Sequence, residues 1–167
     1  MKLALPFSEA LALVTAEKAL PPVIRALDCR GETITAEIDL EAIPSRSIAL
    51  RLAAAAAGTV TVTARLVGYE AGVATFVLTA HARSLPAHKL VPFLLDPVNN
   101  AIRDRGLPEG LLEIQRGDDT GPLVLIDVQK AVETKASGVT VDHLQLVDAV
   151  IHAEATIGAL KLLRSAE

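Results

Sequence analysis

Between Gly58 and Arg83 the chain alternates apolar and polar positions with a period of two. Val60, Val62, Ala64 and Leu66 alternate with Thr59, Thr61, Thr63 and Arg65. After Gly68-Tyr69-Glu70-Ala71-Gly72, the positions Ala74, Phe76, Leu78, Ala80 and Ala82 alternate with Val73, Thr75, Val77, Thr79, His81 and Arg83. Successive side chains of a strand point to opposite faces, so this pattern predicts two long half-buried strands joined as a hairpin. Thr33 to Glu41 alternates in the same way and Ile43-Pro44 breaks it. Ile48, Leu50 and Leu52 form a further apolar row opposite Ser47, Ala49 and Arg51. The alanine run Ala53 to Ala57 fits helix or strand and is assigned to a close-packed strand or crossover feeding the hairpin. Val23 to Cys29, Leu111 to Gln115 and Leu123 to Val128 are shorter strands, the last apolar on both sides and hence buried. Val139 and Val141 are odd but Leu144 and Leu146 are even, which predicts a bulge near Asp142-His143. A turn near Asp148 leads into Ile151, Ala153, Ala155 and Ile157 on one face.

The helical signals flank this β-rich middle. Ser8 is the expected N-cap of a helix carrying Phe7, Ala10, Leu11 and Val14, and Pro21-Pro22 ends it. Ser84-Leu85-Pro86 starts a second helical region with Leu90, Leu94, Val98 and Ile102 four apart. Pro92 and Pro97 inside it predict a kinked helix or two short ones, with Asp96 as a fresh cap and Gly106 as the end. Asp127 to Lys135 suggests one or two helical turns, and Gly158 to Glu167 a helical tail. A long sheet with one apolar face needs a cover. The expected fold is therefore α+β: one domain over residues 1–167, with a long curved antiparallel sheet packed on an N-terminal helix and a kinked central helix.

Composition narrows the function classes. The 167 residues are 51% hydrophobic but only 2% aromatic, so Leu, Val, Ile and Ala must build the core. A net charge of −4 and the lack of stacking aromatics argue against a nucleic-acid partner. No apolar run approaches the roughly 18 residues of a membrane span, so no transmembrane segment is expected. Without a recognisable secretory signal the expected location is cytoplasmic, or exported or tethered if the chain is part of a longer protein. The single Cys29 excludes an internal disulfide and sits in an apolar segment, as a packed thiol does. Asp118-Asp119 lacks the alternating acids and closing Glu of a calcium loop, and His81, His88, His143 and His152 lack zinc-site spacing. No metal or cofactor is expected. Neither a nucleophile elbow nor a phosphate-binding glycine loop occurs, so no residues are assigned to catalysis, and an enzyme assembled from distant residues stays open. Glu37, Asp39 and Glu41 opposite Arg51, Arg65 and Arg83 are expected to make solvated cross-strand pairs.

From Leu85-Pro86 to Val128 the order of signals is distinctive: a hairpin ending in L-P, a Pro-interrupted apolar helix, then L-P-E-G-L, a loop and the strand L-V-L-I-D-V. This order resembles that of small bacterial domains of the tubular lipid-binding (TULIP-like) type. The resemblance implies a curved sheet wrapped around a helix and an apolar groove for lipid or acyl chains. Its candidate lining residues are Val60, Val62, Leu66, Phe76, Leu78, Leu90, Leu94 and Val98. The same residues also suit a dry, filled core, which every domain needs, whereas pockets are few. A second functional expectation is a self-associating or partner-binding module, since Val67, Val73 and Val77 add apolarity to the outer face beside edge strands.

Overall fold

The computed structural model describes residues 1–43, 48–81, 87–117 and 121–162; side chains at 49–50, 53, 56–57, 81, 87–92 and 160–162 lie outside that description. The elements are β1 (Lys2–Pro6), α1 (Phe7–Glu17), β2 (Ile24–Arg30), β3 (Thr33–Asp39), a 3-10 turn (Leu40–Ala42), α2 (Ile48–Ala57), β4 (Thr59–Glu70) and β5 (Val73–His81). They continue with α3 (Ala87–Asp104), β6 (Leu112–Gln115), β7 (Leu123–Asp127), α4 (Val128–Lys135), β8 (Ala136–Val147) and β9 (Val150–Leu162). The strands form two antiparallel sheets, one in the order β2-β3-β4-β5-β7-β6 and one in the order β1-β9-β8. The fold is α+β.

The hairpin β4–β5 is the centre of the larger sheet. Ile38 pairs with Val60, Ala36 with Val62, Val62 with Ala80, Ala64 with Leu78, Leu66 with Phe76, and Phe76 with Val124. Paired residues of an antiparallel ladder share a face, so these build one apolar face, while Thr35, Thr61, Thr63 and Thr79 build the polar one. A bulge between Leu66 and Gly68 shifts the register, so Tyr69 opposes Ala74 and joins the apolar side. At one end of this face Val23, Ile38, Leu40, Ile43, Val60 and Val62 form the core with Ala54 of α2, and Leu78, Ala80 and Leu94 of α3 pack against it.

The smaller sheet is amphipathic too. Leu3 and Leu144 both oppose Ala153, Leu5 and Leu146 both oppose Ile151, and Val141 opposes Ala155. Lys2 and His143 oppose Glu154 on the other face. The bulge between Val141 and His143 lies where the change of parity predicts it. The two sheets meet along β8. The Tyr69 hydroxyl donates to the Val141 carbonyl at 3.0 Å. Gln129 of α4 donates from Nε2 to the Val139 carbonyl and accepts the Val141 N–H at Oε1, each at 2.9 Å. Gly72, with φ of 87°, leaves room for this side chain, because a Cβ there would lie 2.6 Å from the Gln129 Cβ. At the far turn Ala149 donates its N–H to the Gly31 carbonyl and accepts from Phe7 N–H, both at 2.8 Å.

Several expectations change. Residues 48–57 form helix α2 rather than a strand, because Leu and Ala are among the best helix formers and no β-branched residue follows Ile48. Lys2–Pro6 is a strand, which the sequence reading did not assign, and Pro6 rather than Ser8 occupies the cap of α1, with no side-chain cap bond. Helix α3 is a single assigned helix through Pro92 and Pro97, with no fresh start at Asp96. Its apolar stripe is anchored on the sheet at Leu94, which offsets the bonds the prolines remove. It closes as expected near Gly106, whose φ is 65° and whose N–H reaches the Arg103 carbonyl at 2.9 Å. Gly158 to Leu162 continues β9, pairing with β8, instead of starting a helix. In β7 only Val124 is buried; its neighbours are half-buried. Asp39 pairs with Arg25 at 2.6 Å, while Arg65 stands opposite Thr33 and Val77. Arg83, Ser84, Pro86, Asp118 and Asp119 lie outside the described residues.

Candidate functional site

A cleft of about 450 Å³ lies between α3 and the linker from α1 to β2. Helix α3 contributes Pro97, Asn100, Ala101 and Asp104, and Arg105 follows directly after its last turn. Their spacing places them on one helical face. The opposite wall is Ala19, Leu20, Pro21, Pro22 and Val23, with Ala42 from the 3-10 turn. Two successive prolines fix their own φ in this wall, and the Ile24 N–H closes a turn on the Pro21 carbonyl at 2.9 Å. Val23 and Ala42 also touch the core cluster, so the floor of the cleft is continuous with the packed interior.

Arg105 fastens the two walls. Its Nη2 donates to the carbonyls of Lys18 and Ala19 at 3.0 and 3.2 Å, and its Nη1 to the Ala101 carbonyl at 3.4 Å. Both α1 and α3 end here, so one guanidinium meets carbonyls at the negative ends of two helix dipoles. Lys18 and Asp104 add an exposed, loose ion pair at 3.7 Å. Among the described residues the lining holds no Ser, Cys or His, and its one carboxylate is Asp104. Such a site offers apolar contact with a polar rim.

A second, narrower groove of about 260 Å³ runs between β4 and β8, where Leu66, Tyr69, His143 and Leu146 meet. Tyr69 is pushed towards the neutral phenol, first by burial and then by the charges of Asp127 and Asp142. Cys29 is buried, and burial, helped by Asp28, keeps its thiol protonated to higher pH. Among the described residues no group of three His, Cys, Asp or Glu side chains is placed to hold a metal ion, and no helix is long and apolar enough to cross a membrane.

Of the eight residues expected to line a groove, Val60 and Val62 are buried in the core, with Leu78 and Leu94 packed on them. Leu66 and Phe76 are half-buried partners further along the same face, and Val98 is half-buried on α3. The Leu90 side chain lies outside the description. None of the seven whose side chains are described lines the cleft beside Arg105, though Leu66 borders the narrower groove. Val67 is exposed, and Val73 and Val77 are half-buried. The sequence reading missed Val23, Ala42, Ala101 and Arg105 as site residues. The helical spacing of Pro97, Ala101 and Asp104 was present as a signal, but nothing local marks the linker as its opposite wall. Comparison with protein-family models, with characterised proteins and with solved structures gives no match.

Proposed function

We propose that the protein binds a hydrophobic ligand without catalysis, a lipid or acyl chain seated in the cleft between α3 and the linker from α1 to β2 and not between helix and sheet. The observation that carries this reading is an apolar-walled cleft of about 450 Å³ whose floor runs into the core at Val23 and Ala42. That volume falls within the roughly 300–1,000 Å³ of small-molecule sites, which are apolar with a few polar groups at fixed positions. The proline wall and the Arg105 strap favour binding, because a site already held open loses little freedom when it is filled.

The test is native mass spectrometry of gently purified protein, organic extraction of the same sample, and titration with a fluorescent C12 fatty acid. The expected result is an extractable lipid or saturable probe binding, weakened at least about tenfold by Ala101→Phe, which fills the cleft while the circular dichroism spectrum stays unchanged. Absence of both lipid and probe binding refutes the reading. Probe binding that Ala101→Phe leaves untouched refutes the location.

A further inference from the structure

The cleft beside α3 is charged at one end only. Its charged lining residues are Lys18, Asp104 and Arg105, two cations against one carboxylate. The whole chain carries a net charge of −4, so this positive excess is a local feature. Lys18 lies 3.7 Å from Asp104, too far for a hydrogen bond, and its ammonium donates none among the described residues. The neighbouring Arg103 is paired with Glu109 at 3.1 Å, so it neither adds to this excess nor offsets it.

Arg105 is half-buried and forms no ion pair among the described residues. Its hydrogen bonds all end on backbone carbonyls, those of Lys18, Ala19 and Ala101. A carbonyl orients a guanidinium but carries no net charge, so the cation is fixed in place without being neutralised. Its Nε–H and the second Nη1 hydrogen take no partner among the described residues. Lys135 of α4 donates from Nζ to the Arg105 carbonyl at 3.1 Å and places another cation behind it.

Away from this end the walls are apolar and lead to the buried Val23 and to Ala42. An apolar slot with a cationic mouth fits an amphiphile with an anionic head. The head stays at the mouth, because an unpaired charge carried towards the core is costly, while each methylene of the tail gains from burial there. Charge counting selects a monoanion. Lys18 and Arg105 against Asp104 leave one positive charge, which a single carboxylate cancels.

We propose that the cleft selects an alkyl carboxylate, with its head held by Arg105 and Lys18 and its chain directed towards Val23 and Ala42. This rests on the reading of the cleft as an apolar ligand site and adds the end group that the ligand must carry. Titration calorimetry of the full chain with dodecanoate, dodecanol and dodecylamine tests it. The quantity read is the affinity for the acid divided by that for the alcohol, which a general loss of cleft shape does not move. The acid is expected to bind at least about tenfold more tightly than the alcohol, with the amine weakest. Added salt is expected to narrow the preference, because the mouth is open to solvent. Lys18→Gln is expected to lower the ratio about threefold, and Asp104→Asn, which removes the repelling carboxylate, to raise it by a similar factor. Arg105→Gln keeps a donor for the linker carbonyls, removes the charge and is expected to lower the ratio further. If that variant loses the strap and binds neither probe, Lys18→Gln and Asp104→Asn decide. An alcohol bound as tightly as the acid, or a ratio that neither Lys18→Gln nor Asp104→Asn moves, overturns the proposal and leaves the apolar cleft standing. Failure of all three probes to bind overturns both.

Discussion

Ala149 sits at φ 59°, and Asp148 before it at φ 50°. For a residue with a Cβ the left-handed region costs about 1–2 kcal/mol. Such angles belong to the two-residue turn whose twist matches a hairpin, and Gly or Asn is the usual choice for it. Alanine holds the position here because both of its backbone groups are bonded at a distance, the N–H to Gly31 and the carbonyl to Phe7. Ala149→Gly keeps those bonds and removes the crowding. It is expected to raise stability by about 0.5–1 kcal/mol after allowing for the freer unfolded chain, read as a higher urea midpoint at constant slope. A lower midpoint would show that alanine is relaxed in this turn.

At the scale of elements, the outer edge of β8 is closed by a side chain. The Gln129 amide imitates the peptide of a neighbouring strand, donating to Val139 and accepting from Val141. Gln129→Leu leaves that N–H and C=O without their partner, at an expected cost of about 1–3 kcal/mol, and the Val141 amide should lose protection from hydrogen exchange. Unchanged protection would mean that Gln129 is dispensable to the edge. Elements with a strong period were legible from residues alone: the β4–β5 hairpin, β3, the bulge before His143, and the short helix capped by Asp127, whose carboxylate accepts the Lys130 N–H at 2.9 Å. Residues 53–57 were not, because alanine suits a helix and a packed strand equally in pattern. Nor was β1, since Lys2–Pro6 is short and lies just before a helix signal. The apolar face was readable as Val60, Val62, Leu78 and Leu94, but whether it closes depends on the elements laid over it. Arg105 and the linker carbonyls at Lys18 and Ala19 are brought together only by tertiary packing, which no local pattern encodes.

For the whole molecule, the charge pairs set how stability follows pH. The Arg25 guanidinium hydrogen-bonded to Asp39 holds that carboxyl below its usual range, against a smaller opposing effect of burial. Lys2 does the same to Glu154, and Glu154 in turn raises Lys2. A depressed acid contributes stability that is present above its unfolded pKa and lost as pH falls through its folded value. A raised lysine contributes stability that is present below its unfolded pKa and lost as pH rises through its folded value. Stability should therefore be flat near neutrality and decline on both sides. Asp39→Asn removes one contribution on the acid side, so its urea midpoint should fall less between neutral and acidic buffer than that of the wild type. An equal fall in both proteins would show that the Arg25 pair adds nothing, as exposed ion pairs sometimes do.

The smaller sheet also dictates an order of events during synthesis. Lys2 of β1 has its partner at Glu154 of β9, so β1 cannot pair until β9 has been made. At about 5–20 residues per second that wait is on the order of ten to thirty seconds. The larger sheet can begin to pair while the ribosome is still translating, because β2 to β5 are consecutive neighbours. Leu3 and Leu5 stay uncovered throughout. The smaller sheet is therefore closed only after the larger one has had time to form.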